Sequence, residues 1–205
     1  MTGRVKNIFK SGLFEDNPVF RQILGICSAL AVTNLMMNSL VMGLGLMFVT
    51  GFSELTVSLI RNFTPKHIRM MVQTLIISFY VIIIDIFLKA YYPEMSKALG
   101  PYIGLIITNC IIMGRCESYA QNNPPHYAFI DGIASGMGYG MVLLLIAFVR
   151  ELLGFGSIFG IQVMGENWVN WTLMIMPPGA FFMLGIVIWI SRNVFNSKEE
   201  EGEKV

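Results

Sequence analysis

The sequence predicts an all-α integral membrane protein of six transmembrane segments, built as two inverted three-helix repeats whose first and fourth segments are short or broken half-helices. Three features point there. Of 205 residues, 55% are hydrophobic and 13% charged, about half the ~25% charge of an ordinary soluble domain. The apolar residues fall in blocks such as Met71 to Leu88 and Met141 to Leu153, too long for half-buried strands and suited to spanning helices. A proline-to-cysteine spacing also recurs, with Cys27 nine residues after Pro18 and Cys110 nine after Pro101. A soluble helical protein buried on every side fails as an alternative, because a chain this small has too little interior.

The segments run, in order, over 18-36, 39-60, 68-89, 101-115, 130-153 and 172-194. Asn17-Pro18 opens the first and Gly100-Pro101 the fourth, placing proline in the first turn, where a helix tolerates it. The second and third are continuous apolar stretches. Met42-Gly43-Leu44-Gly45 in the second is echoed by Met137-Gly138-Tyr139-Gly140 in the fifth, and the polar loop Gln121 to His126 absorbs the longer spacing of the second copy. A single membrane domain is therefore expected over 18-194, with repeats at about 18-89 and 101-194. It is flanked by an N-terminal tail, 1-17, and a solvated acidic tail, 195-205, holding Glu199, Glu200, Glu201 and Glu203. Of the 14 Lys and Arg residues only Lys89, Lys97 and Arg150 fall on the outer side if both termini are cytoplasmic, so the positive-inside rule predicts N-in and C-in. Net charge is +1, which gives nucleic acid no basic face. The polar N-terminus shows no cleavable signal peptide.

Two spans entering from opposite faces, each with a thiol nine residues in, deliver those thiols roughly 14 Å along each helix. That depth is near the middle of a core about 30 Å thick. Thr33-Asn34 after Cys27 and Gly114-Arg115 after Cys110 interrupt both segments where an unbroken span stays apolar, and interrupted helices in matching positions point to a midplane site. Asn34 and Asn109 are polar groups there that need partners. Facing thiols can bind a soft metal, form a disulfide or fill space as small hydrophobes, and spacing alone leaves these open. Cys116, rotated about 240° from Cys110 on a helix and lying after Arg115, is a poor third ligand. An iron-sulfur cluster normally takes four thiolates, so this chain offers half a set and a partner would supply the rest.

Other intramembrane ionisable groups are Glu54, Asp85, Asp131 and the pair Arg150 and Glu151; charge in lipid is costly and often marks an ion pathway. Glu54 and Asp85 are the candidates for such a pathway, although Asp85 is also spaced for an i,i+4 pair with Lys89. No phosphate-binding glycine loop or metal-binding histidine pair is present, and His67 and His126 fall in loops. No residue of this chain is expected to be catalytic by itself.

The stretches Leu24-Gly25-Ile26-Cys27-Ser28-Ala29-Leu30-Ala31-Val32-Thr33 and Gly104 to Arg115, with Asp131-Gly132-Ile133 and Arg150-Glu151-Leu152, resemble the D-type membrane proteins of the sodium-translocating NADH:quinone oxidoreductase, Nqr. The resemblance covers essentially the whole membrane region. It implies a six-helix protein of the bacterial inner membrane, paired with a homologous E-type protein of inverted topology. Each would supply two cysteines, here Cys27 and Cys110, to an intramembrane 2Fe-2S cluster. It further implies that the A, B, C and F components complete a complex passing electrons from NADH to ubiquinone while exporting Na+, with the flavins in those other components. Cys116 departs from a Gly-Arg-Ala-Glu stretch and removes no expected ligand. The equivalent component of the related Rnf-type ferredoxin:NAD oxidoreductase is the neighbouring alternative, in which proline is expected where this chain has Ser28. A transporter-like structural membrane protein with inert cysteines is the alternative from another class.

Overall fold

The computed structural model describes residues 24–154, 156–158, 161–162 and 176–202. The N-terminal tail, Pro18 and the start of the first and sixth predicted segments lie outside the described residues. Among the described residues, two short antiparallel strands, β1 (Ser157–Ile158) and β2 (Ile161–Gln162), accompany the helices.

The first described helix, α1, covers only Ile26–Val32 and is followed after a break by α2, Met36–Ile60. A 3-10 turn at Lys66–Ile68 leads into α3, Arg69–Tyr91. Two pieces follow, α4 (Pro93–Ile107) and α5 (Cys110–Arg115), and a π-helical turn at Cys116–Ala120 completes this run. The remaining helices are α6, Pro125–Gly154, and α7, Pro177–Gly202. Among the described residues, three helices are long and apolar enough to cross a membrane: Met36–Ile60, Lys66–Tyr91 and Pro125–Gly154. They correspond to the second, third and fifth predicted segments.

The fourth predicted segment differs in detail. Pro101 does not open a helix; α4 begins at Pro93, in its N1 position, and Pro101 lies inside it. Nor is the chain interrupted at Gly114-Arg115, where α5 passes directly into the π turn. The break lies at Thr108 and Asn109, so Cys110 opens a helix instead of sitting in the middle of one. The equal-depth count from the two prolines therefore does not describe Cys110. At the far end, α7 carries its helical backbone through the acidic run to Gly202.

Packing centres on α2 and α6. A Cβ built on Gly132 would lie 2.8 Å from Gly51 Cα, one on Gly136 2.5 Å from Met47 Cα, and one on Gly43 3.2 Å from Gly140 Cα. The contacts step by four along both helices, with numbers rising on α2 as they fall on α6, so the helices run antiparallel. Four residues is slightly more than one turn, which keeps Gly132, Gly136 and Gly140 on one stripe. Small residues on such a stripe let membrane helices approach backbone to backbone. Thr50 Oγ1, buried within the apolar α2, donates to Leu46 O at 2.6 Å, the back-bonding expected of Thr in a helix interior. Leu46, Val49, Ile77, Ile112, Leu143 and Ile146 form the core around the seam. The far face of α3 exposes Met71, Leu75, Phe79 and Phe87, and α7 exposes Phe182 and Trp189, as surfaces turned to lipid or to other proteins of an assembly would.

The break between α1 and α2 is closed by α6. Glu151 Oε2 accepts the Met36 backbone N–H at 2.7 Å, and Arg150 Nη1 donates to Thr33 Oγ1 at 2.6 Å. Thr33 Oγ1 in turn donates to Ala29 O at 2.6 Å, and Ser39 Oγ to Val32 O at 3.2 Å. Both charged side chains are buried. Glu151 thereby satisfies a backbone amide released where a helix stops, which lipid cannot do, and Arg150 holds the Thr33 hydroxyl beside the same break.

Beyond the fourth predicted segment, Arg69 Nη1 meets Glu117 Oε1 at 2.7 Å and Gln73 Nε2 donates to Glu117 Oε2 at 2.9 Å. Desolvation pushes the Glu117 carboxyl up, but the hydrogen bonds from Gln73 and Arg69 and the Arg69 charge outweigh it and hold its pKa below the ordinary value.

Gly136→Leu is expected to cost about 1–3 kcal/mol through overpacking of the seam, whereas Gly45→Ala, whose Cβ meets nothing within 4 Å, should change stability by under about 0.5 kcal/mol. Thermal unfolding in detergent compares the two, and equal midpoints would refute the seam. Glu151→Ala leaves the part-buried Met36 N–H without that acceptor and should destabilise by about 1 kcal/mol, read as faster amide exchange in the segment around Met36.

Candidate metal centre

Cys27 and Cys110 stand at the starts of two short helices, Cys27 second in α1 and Cys110 first in α5. Cys27 is exposed, Cys110 is half-buried, and both are free thiols. The two helix starts are tied directly, because the backbone N–H of Gly25 donates to Cys110 Sγ at 3.0 Å.

That contact depends on a special backbone at Gly25, whose φ is +84°. Left-handed φ suits glycine because a Cβ there is strained. Space forbids a side chain as well, since a Cβ on Gly25 would lie 2.5 Å from Ile111 Cδ1 and 2.8 Å from Tyr139 Cε2. The residue before α1 must therefore turn left-handed against α5 and α6, and that turn aims its N–H at Cys110.

Asn109 builds the other start. Its backbone is extended, and its Oδ1 accepts the Ile111 N–H at 3.0 Å as the N-cap of α5; Asn is among the preferred residues for this role. Its Nδ2 donates to Ser28 Oγ at 3.1 Å. Ser28 Oγ shares a short hydrogen bond with Tyr139 Oη from α6, and Tyr139 Oη donates to Gly25 O at 3.1 Å. Ser28, Asn109 and Tyr139 are all buried, alongside Val32, Ile111 and Ile112.

Two thiols here suit a soft metal in their chemistry, and a backbone N–H on sulfur favours thiolate ligation. The set is incomplete, because among the described residues no group of three or more His, Cys, Asp and Glu side chains is placed to hold a metal ion. Cys116 is buried in the core on the π turn and is not among the groups hydrogen-bonded around Cys110.

Of the ion-pathway candidates, Asp85 is paired with Lys89, whose Nζ lies 2.6 Å from Asp85 Oδ2. This is the i,i+4 arrangement and favours a structural role. Glu54 is fully buried on α2, and neither carboxylate oxygen has a hydrogen-bond partner in the structure. Asp131 and Arg115 are the charges acting on it, and they approach each other to 3.6 Å while both are buried. Arg115 is thus an interior residue, although sequence alone places it among the cytoplasmic basic residues. Sequence reasoning also misses Gly25 and Tyr139 as parts of the cysteine site. Tyr139 lies in the glycine-rich echo but faces the thiols, not the seam.

The family described as Rnf-Nqr subunit, membrane protein, matches residues 5–188. Among similar proteins, the D subunit of the Na(+)-translocating NADH-quinone reductase of Chlamydia abortus is 49% identical over 205 residues, covering 95% of this chain and 96% of its own. Its counterpart from Shewanella sp. strain W3-18-1 is 48% identical, covering 92% of each chain. That of Tolumonas auensis is 46% identical, covering 97% of this chain and 94% of its own. A match across nearly the whole chain, joined to identity near one half, establishes that this protein belongs to the Rnf-Nqr family of membrane subunits.

Proposed function

We propose that the chain is the D component of a Na+-translocating NADH:quinone reductase, in which Cys27 and Cys110 supply half the ligands of a 2Fe-2S cluster completed by a homologous E component of inverted topology. The observation that carries this reading is the tie between the two helix starts, Gly25 N–H to Cys110 Sγ at 3.0 Å. It brings the starts together while leaving Cys27 exposed, as a ligand set shared with a second protein requires. The names of the similar proteins support the complex and its cation, and rank Nqr above Rnf for this chain.

Within that assembly the chain's residues hold and shield. Cys27 and Cys110 would ligate as thiolates, while Ile111, Ile112 and Val32 keep water from the inner side. A 2Fe-2S cluster bound there supplies one-electron transfer between centres held by other components, toward quinone. The six-span inverted repeat belongs to the same proposal. The antiparallel α2 and α6, in contact through Gly43 and Gly140, are what a two-fold axis in the membrane plane would produce. The proposal includes N-in, C-in insertion in the inner membrane, following the positive-inside rule, and a single membrane domain over 18-194 between its tails. Glu54 remains the ion-site candidate, since an unpartnered carboxyl buried inside a membrane helix bundle calls for a proton or a cation.

In the purified complex, Cys27→Ala and Cys110→Ala should each remove iron and stop quinone reduction, while NADH oxidation by an artificial acceptor survives. Unchanged iron content and normal quinone reduction in both variants would instead make the cysteines inert and the chain a structural or transporter-like protein.

A further inference from the structure

The hydrogen bonds that surround the cysteine pair form one connected network that ends on Gly25. Asn109 Oδ1 is occupied by the Ile111 N–H, so its side chain meets Ser28 through Nδ2, a donor only. Ser28 Oγ therefore accepts from Asn109 at 3.1 Å. Tyr139 Oη and Ser28 Oγ each carry one proton and lie 3.1 and 3.2 Å from Gly25 O, so one hydroxyl donates to that carbonyl while the other donates across the short Ser28–Tyr139 bond. With either assignment the network runs from Asn109 through the Ser28–Tyr139 pair to the Gly25 carbonyl. On the amide side of the same residue, the Gly25 N–H donates to the sulfur of Cys110, the residue that follows Asn109. The loop closes on itself across three helices.

We propose that Tyr139 is a positioning residue for Cys110: its hydroxyl holds the left-handed Gly25 so that the Gly25 N–H stays on Cys110 Sγ, and through that hydrogen bond it sets the reduction potential of the centre. The inference rests on the metal-ligand reading of Cys110, but the hold on Gly25 does not. Hydrogen bonds to ligating sulfur are one of the levers on the potential of an iron-sulfur centre. Reduction adds negative charge, which an N–H donor stabilises, so loosening the donor favours the oxidised form.

Tyr139 does not act alone on this carbonyl. Ser28 Oγ also lies 3.2 Å from Gly25 O, and on loss of the tyrosine hydroxyl its proton can move there. Tyr139→Phe keeps the buried ring against Gly25 and removes only the hydroxyl. Ser28→Ala with Tyr139→Phe removes both side-chain donors, so the double change should exceed the sum of the singles.

Two measurements on the intact complex test this. The first is amide exchange of the peptide containing Gly25, followed by mass spectrometry. Exchange should be about fivefold faster in Tyr139→Phe, the loss of about one hydrogen bond, and faster still in the double variant. The second is a redox titration of the iron-sulfur electron paramagnetic resonance signal assigned to Cys27 and Cys110 by its loss in Cys110→Ala. With iron content unchanged, the reduced-to-oxidised ratio at fixed potential should fall by about fivefold in the single variant and further in the double.

Exchange unchanged in the double variant would overturn the positioning role. Faster exchange with an unmoved potential would overturn the link to the centre. If the wild-type complex has no signal that depends on Cys110, the metal reading fails, and with it the potential, while the exchange result still decides the hold on Gly25.

Discussion

Backbone left unpaired inside a membrane is the constraint on which this structure depends. Lipid offers no hydrogen bonds, so a helix that stops in the bilayer must find partners for its last carbonyls and its successor's first amides within the protein. Among the described residues, the helices next to the two cysteine-bearing starts break after Val32 and after Ile107. Each stop recruits side chains that would be expensive to bury without a partner: Glu151 on the Met36 amide and Arg150 on Thr33 at the first, and Asn109 on the Ile111 amide at the second; Tyr139 does the same at the start of the first cysteine helix, on the Gly25 carbonyl. The breaks and the buried polar groups therefore explain one another. Both breaks adjoin the helices that carry the cysteines.

These partners can reach the breaks only because α2 and α6 lie so close. The contacts of Gly132 with Gly51 and Gly136 with Met47 bring the helices to backbone contact. Tyr139, next to Gly140 on α6, turns off that stripe toward α1. Further along α6, Arg150 and Glu151 come level with the gap between α1 and α2. A bulky residue in the stripe would thus act on the cysteine site at a distance, by separating α6 from the breaks it closes.

Much of this is legible in the sequence, and the misses have physical causes. Apolar blocks reveal the long helices α2, α3 and α6, because lipid-facing composition is a property of the segment itself. Spacing singles out Cys27 and Cys110 as a pair, and their helix starts do meet, but for a reason the structure replaces. Counting from Pro101 assumes that proline opens the helix, whereas Pro93 does so and Pro101 is accommodated within it. Asn109 is recognisable as needing a partner, but that partner is Ser28, 81 residues away, a distance that local spacing cannot encode. Gly25 and Tyr139 escape notice for the same reason. A glycine beside a cysteine carries no signal of a positive φ until the neighbours that exclude its Cβ are known. Glu54 and Asp85 look alike as lone acids in apolar helices. Asp85 has its lysine four residues on, visible in sequence, whereas the surroundings of Glu54 are assembled from α5 and α6.

The arrangement is also reciprocal. The first half of the described chain depends on α6 to close the gap between α1 and α2. The second half depends on Gly25, ahead of α1, for the donor to Cys110 Sγ, and on Ser28 as the acceptor for Asn109. Neither cysteine helix is finished by its own half. If the halves separated, each would expose unpaired backbone to lipid, at several kcal/mol for each unsatisfied group. Shape and packing alone would let the halves slide, since hydrocarbon is as apolar as their side chains. Directional bonds at the breaks do not, and this is why the starts of the two cysteine helices keep a fixed relation while the thiol of Cys27 stays open to a partner.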